Sequence, residues 1–124
     1  MFKILAVGAG GFLGAALRYL MSLIPVNESL IFPVKTFAIN VIGCVVIGAI
    51  AIATAKNSSW NPYVLLFMKV GLCGGFTTFS TFALESTDLI RNGHSLTAFA
   101  YILLSVLVGV GSIFAVEYIS IKMR

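Results

Sequence analysis

Charge is what this sequence has least of. Of its 124 residues, 8 are Lys or Arg and 4 are Asp or Glu, so charged side chains make up only 10% of the chain. A soluble domain carries about 25%, and without that fraction there is no polar surface to keep this chain a soluble monomer. Four acids and one histidine also leave little from which to assemble acid–base chemistry. No nucleophile–base pair, metal-ligand set or phosphate-binding glycine loop with its lysine is present, so the sequence gives enzymatic activity no support. The two cysteines, Cys44 and Cys73, lie inside apolar runs and read as small packing residues, not as a disulfide or a metal site. The net charge is +4, yet the basic residues are scattered and form no cluster or helix stripe. Nucleic acid is therefore not an expected partner.

What is abundant is apolar: 60% of the residues are hydrophobic, with a mean hydropathy of +1.08. They fall in four runs, each long enough for a bilayer crossing of roughly 20 residues. These runs nearly exhaust residues 1–124, which predicts a single all-α, multi-pass transmembrane domain with no room for a soluble catalytic unit. Span 1 runs from about Ile4 to Ile24 and stops at Pro25, before a turn at Asn27, Glu28 and Ser29. Lys3 ahead of an apolar run resembles a signal peptide, but Arg18 and Tyr19 interrupt the cleavage region, so this is read as a retained span. Span 2 covers about Pro33 to Ala55, with Pro33 suited to a first helical turn. Lys56, Asn57, Ser58 and Ser59 form a polar loop, and Trp60 and Tyr63 flank it at the depth of an aromatic belt. Span 3 extends from about Pro62 to Ile90, Arg91 to Ser95 is the last loop, and span 4 covers about Leu96 to Ile121.

Four spans place Lys3, Lys56, Lys122 and Arg124 on one side, against Lys35, Arg91 and a snorkelling Arg18 on the other. That bias is weak under the positive-inside rule. It leaves open both a single topology and a dual one, in which copies insert both ways and pair antiparallel.

Polar side chains are costly inside a bilayer, so those in mid-span are informative. In span 2, Thr36, Asn40 and Gly43 share one helical face; the buried amide needs a partner, either another helix or a species in transit. Gly43, Gly48 and Ala51 offer a surface for close packing. In span 3, Gly71-Leu-Cys-Gly-Gly-Phe-Thr-Thr-Phe-Ser-Thr-Phe82 combines a glycine pair that favours a helix break with four hydroxyls, at Thr77, Thr78, Ser80 and Thr81. Discontinuous helices of this kind are recurrent ion-site devices in membranes. Phe79 and Phe82 lie near each other on one face, either as lipid and packing surface or with positive ring edges turned to an anion. In span 4, Tyr101, Ser105, Gly109 and Ser112 form a stripe whose hydroxyls could be a ladder of donors or bond back to their own helix. Arg18 and Lys69 serve as snorkelling anchors or draw anions into vestibules from opposite directions. Glu85 and Asp88 are expected at an exposed end of span 3, and His94 lies alone in a loop.

On these residues the chain resembles the Fluc, or CrcB, family of fluoride channels along essentially its whole length. The resemblance is carried by Gly10-Gly-Phe-Leu-Gly-Ala-Ala-Leu-Arg-Tyr19, by Thr36-Phe-Ala-Ile-Asn-Val-Ile-Gly43 and by Gly74-Gly-Phe-Thr-Thr-Phe-Ser-Thr-Phe82. It implies an antiparallel, dual-topology homodimer in the bacterial inner membrane that exports fluoride passively through two pores built from both subunits. It implies Phe79 and Phe82 as pore phenylalanines and Asn40 as the pore amide. Thr36, Ser80, Thr81, Tyr101 and Ser105 would line a polar track, and Arg18 a vestibule. It also implies a structural sodium ion at the dimer axis, held by backbone carbonyls of Gly74 and Thr77, and no organic cofactor. The chain departs from some relatives at Gly109, where a hydroxyl is expected and Ser112 is the candidate substitute.

Two rivals remain from the residues. A small multidrug-type, proton-coupled transporter is similar in size but needs a membrane-buried carboxylate, commonly in its first span, where this chain has none. A non-transporting scaffold would use the glycines and hydroxyls for packing only.

Overall fold

A computed structural model describes residues 1–57 and 59–123. Ser58 of the second loop and Arg124 of the charge count lie outside the described residues. The chain folds as helices alone, with no strand among the described residues, and four of its spans are long and apolar enough to cross a membrane. Helix α1 is Phe2–Ser22 and α2 is Val34–Lys56. The third span, Pro62–Arg91, is composite: α3 (Pro62–Leu65), a π-helical stretch (Leu66–Cys73), the single turn α4 (Gly74–Phe76), and α5 (Phe79–Arg91). Helix α6 is Ser95–Lys122. The expected spans are all present, with ends shifted by one or two residues; Pro33, for instance, sits at the N-cap of α2 instead of in its first turn.

Local chemistry accounts for the ends. Pro62 opens α3, where its missing N–H costs nothing, and the Asn61 side chain caps it by accepting from the Tyr63 N–H at 2.8 Å. Helix α5 ends at Gly93, whose φ of 81° suits a residue without Cβ, and the His94 N–H returns to the Leu89 carbonyl at 2.8 Å. Lys56, Arg91 and Lys122 stand in the last turns of α2, α5 and α6, where they complement the helix dipoles.

Two different kinds of packing join the helices. Gly10 and Gly14 of α1 lie against the Phe67 and Leu72 carbonyls, and Gly71 and Gly75 of the third span lie against Val7, Gly10 and Gly11. Two small-xxx-small motifs thus interlock backbone to backbone, as close helix packing in lipid favours. Elsewhere an aromatic cluster forms the core: Tyr101 is fully buried with Leu89 and Ala98, and Phe32, Phe37 and Phe82 close around it. Its rings meet edge to face, with centroids 5.3 Å apart for Phe32–Tyr101 and 5.0 Å for Phe82–Tyr101. The outer surface is apolar, with Phe12, Leu20, Leu107 and Phe114 among many exposed large side chains. A soluble monomer does not show such a surface. The protein is a multi-pass membrane protein.

Candidate functional site

The site is built on the interruption in the third span. The sequence places a break at the glycine pair, but Gly74 and Gly75 belong to a helical turn, and the Gly74 backbone is right-handed. The chain turns extended two residues later, at Thr77 (φ −78°, ψ 158°) and Thr78 (φ −148°, ψ 111°). The reason lies in the neighbours: Gly75 is held against Gly11 of α1, so it serves close approach, not chain reversal.

Asn40 makes the break possible. Its Oδ1 accepts from the Thr78 N–H at 2.8 Å, and its Nδ2 donates to the Thr78 carbonyl at 3.2 Å. One amide thus satisfies both backbone groups of a residue that has left the helix, as the bilayer interior requires. The amide's second N–H has no partner in these two bonds. Thr78 then caps α5, its Oγ1 accepting from the Thr81 N–H at 3.3 Å and donating to Thr81 Oγ1 at 2.9 Å. Thr81 keeps its own hydroxyl proton free to donate elsewhere.

The break also strips carbonyls of their donors. The Thr77 N–H goes to the Cys73 carbonyl at 3.0 Å and the Thr78 N–H to Asn40. The Gly74 carbonyl therefore loses the donor a continuous helix would supply, and among the described residues none meets the Thr77 carbonyl. A Cβ built on Gly74 meets no atom within 4 Å, so no side chain or backbone of this chain closes over that position. Bare carbonyl oxygens are the donor set a hard cation such as sodium takes. No cluster of three His, Cys, Asp or Glu side chains occurs among the described residues.

Two cavities meet at Thr78, which lines both. One, of about 410 Å³, is bordered by Asn40, Cys44, Lys69, Phe79, Phe82 and Ser105. The Ser105 hydroxyl is buried and has no partner. Phe79 and Phe82 stand 5.7 Å apart between centroids, tilted by 50°, and Phe79 is 80% exposed on the outside of the bundle. The other cavity, of about 390 Å³, is bordered by Arg18, Lys35, Thr36, Thr81 and Glu85. There Arg18 Nε is buried without a partner, and Lys35 Nζ donates to the Ser22 carbonyl at 2.6 Å.

Glu85 corrects an expectation. Placed by sequence at an exposed end, it is half-buried, and both its oxygens accept: Oε1 from Thr36 Oγ1 and Oε2 from the Tyr101 hydroxyl, each at 2.8 Å. Two neutral hydroxyls thus hold this carboxyl group, joining α2, α5 and α6. A signal for this existed in the sequence. Phe82, Glu85 and Leu89 follow the i, i+3, i+7 spacing of a helix face, and an acid between two core residues points inward.

The expected site residues therefore divide. Asn40, Phe79, Phe82 and Ser105 share one cavity with Thr77; Arg18, Thr36 and Thr81 share the other. Tyr101 is buried between them at the core, while Ser80 is exposed beside Phe79. Ser112 stands apart, its hydroxyl donating to the Gly109 carbonyl of its own helix at 2.8 Å. A Cβ at Gly109 would lie 3.4 Å from Cys44 Sγ, so that glycine fits a close approach of α6 to α2.

Known proteins resemble this chain along most of its length. A protein from Azobacteroides pseudotrichonymphae, named fluoride-specific ion channel FluC, is 39% identical over 90% of each chain. Proteins of the same name from Elusimicrobium minutum and Chlorobium phaeobacteroides are each 44% identical, over 87% and 85% of this chain and 85% and 81% of their own. These relatives are named as channels, not enzymes. The family described as CrcB-like protein, Camphor Resistance (CrcB), matches residues 5–116, a stretch that holds the glycine seam, the Asn40–Thr78 pairing and both cavities, and the chain belongs to that family.

Proposed function

We propose that this chain conducts fluoride passively across the bacterial inner membrane, lowering its toxicity in the cytoplasm. The observation that carries the reading is the cavity shared by Asn40, Ser105, Phe79 and Phe82, where neutral donors and ring edges share the wall with one cation, Lys69, and no carboxylate. Fluoride is strongly hydrated, so a pore must replace lost water along its length without any single site deep enough to trap the ion. A spare amide N–H, an unpaired hydroxyl and positive phenyl edges are donors of that moderate strength. Thr36, Ser80, Thr81, Tyr101 and Ser105 extend the polar track, with Arg18 at a vestibule. Ser112 belongs to it only if its hydroxyl leaves the Gly109 carbonyl.

The functional unit is an antiparallel homodimer with two pores, each built from both subunits. The exposure of Phe79 at 80%, with Ser80 and Gly74 also exposed, supports a second copy covering these residues. The bared carbonyls of Gly74 and Thr77 fit a sodium ion at the dimer axis. When bound, the ion would supply positive charge to oxygens that the break leaves without donors, a structural role and not transport coupling.

The proton-coupled exporter is the weaker reading. Its requirement is a membrane-buried carboxylate, commonly in the first span, and α1 has no acid. Glu85, in the third span, is only half-buried, and both its oxygens are occupied.

Fluoride and chloride efflux from liposomes carrying the purified protein tests the reading. Rapid fluoride release with negligible chloride release is expected, and absence of fluoride flux from assembled dimers would sink it. Phe79→Ile and Phe82→Ile should each slow fluoride at least about tenfold, a loss of about 1.4 kcal/mol of barrier stabilisation, while the dimer persists on gel filtration. Wild-type flux in both variants returns the rings to packing. Exchange of sodium for a bulky organic cation during reconstitution should lower dimer stability; indifference removes the carbonyl site.

A further inference from the structure

Lys69 is the one charged side chain on the wall of the Asn40 cavity, and the conduction path described above gives it no task. Consecutive spans alternate in direction, so Arg18, late in α1, and Lys69, early in the third span, stand toward opposite faces of the membrane. The two cavities they border meet at Thr78. Each cavity therefore has a cation on its wall, toward opposite membrane faces.

The position of the ammonium matters. The cavity follows α2 from Asn40 to Ile47, roughly 10 Å of helix at 1.5 Å per residue. Lys69 Nζ reaches beyond it, donating to Thr54 Oγ1 at 3.3 Å. That is one long bond from a group with three donors, to an uncharged acceptor. No carboxylate borders this cavity. Glu117, the acid toward the same end of the bundle, lies in a separate groove with Lys56. The positive charge of Lys69 is thus neutralised by no side chain along the cavity wall.

A snorkelling anchor needs only to reach the headgroups. An unneutralised charge beside an apolar cavity does more, because low-dielectric walls focus its field into the opening and raise the local anion concentration. Set next to Asn40, such a charge would trap the ion. Set toward Thr54, it attracts without holding.

The geometry points to Lys69 as the residue that concentrates anions at the mouth opposite Arg18, and so as a determinant of conduction rate in this chain. This inference rests on the fluoride-channel reading. The test is single-channel fluoride conductance in planar bilayers for wild type, Lys69→Gln and Lys69→Arg, with an impermeant anion adjusting ionic strength. At about 0.1 M the Debye length is about 10 Å, and at about 1 M it is about 3 Å. Lys69→Gln should conduct about two- to five-fold less than wild type at the lower strength and converge with it at the higher, while Lys69→Arg tracks wild type at both. If the Gln variant does not assemble, Lys69→Met, which suits the apolar surroundings, replaces it. A loss of the same size at both strengths, or no loss at all, makes Lys69 an anchor and overturns the inference. Absence of fluoride current in wild type would instead fault the channel reading itself.

Discussion

In the first half of the third span, Gly71 and Gly75 press their backbone onto Val7, Gly10 and Gly11 of α1. In the second half, Glu85 takes hydroxyls from α2 and α6 while Phe82 meets Tyr101 edge to face. The first half is held by the absence of side chains and the second by their chemistry. In lipid, helices gain nothing from burying apolar surface against each other, because the solvent is equally apolar. Close van der Waals contact and hydrogen bonding are what remain, and this span uses each in a different half. The extended residues Thr77 and Thr78 separate the two. A rigid glycine seam therefore supports one side of the break, and an adaptable polar network presents the other to a cavity.

The largest expected effect comes from putting a side chain into the seam. Gly75→Val would drive its Cβ into the Gly11 backbone, and neither helix can yield without losing the other contacts of the motif. We expect a loss of at least about 3 kcal/mol and failure to assemble on gel filtration in detergent. Gly8→Ala, on α1 beside the seam and with open space around a built Cβ, should assemble normally. If the two behave alike, the seam is not what holds the first half.

Removing the pairing between the halves is next. Asn40→Ala leaves the Thr78 N–H and carbonyl without partners. At about 1–3 kcal/mol for each of the two stranded groups, the cost should be about 2–6 kcal/mol in thermal melts, with fluoride flux reduced in parallel. A melt within a degree of wild type would mean that water or the partner subunit satisfies the break instead.

The smallest effects belong to the hydroxyls and separate those that bridge helices from those that do not. Tyr101→Phe removes a charge-assisted bond to Glu85 and should cost about 1–2 kcal/mol. Ser112→Ala removes only a bond within one helix, and its effect on melting should stay below about 0.5 kcal/mol. Equal effects would show that the Glu85 network contributes no more than local back-bonding.

How legible was all this beforehand? The four spans were plain, because a long apolar run has few alternatives to a helix crossing lipid. The interruption was legible in kind but misplaced by two residues. A glycine pair reads the same whether it bends a chain or lets another backbone approach, and only the presence of α1 against Gly75 decides between them. Asn40 could be read as needing a partner, but its partner lies 38 positions away along the chain, which spacing within one helix does not reveal. Glu85 stands near a span's end, which suggests exposure, but the helix face it shares with Phe82 and Leu89 turns it inward.

Taken by itself, the sequence determined that this chain lives in a bilayer as four helices, that the third is interrupted, and which family motifs it carries. Hydropathy and local spacing suffice for these, since they depend on each residue and its near neighbours. Tertiary structure alone decided where the third span breaks and what Asn40 and Glu85 bond to. It also set two cavities meeting at Thr78. Those are outcomes of which helix lies against which, and in an apolar solvent that is set by the fit of small residues and the pairing of scarce polar groups between spans. Charge is the scarcest feature of the sequence, and tertiary packing brings Lys69 to one of these cavities and Arg18 and Glu85 to the other.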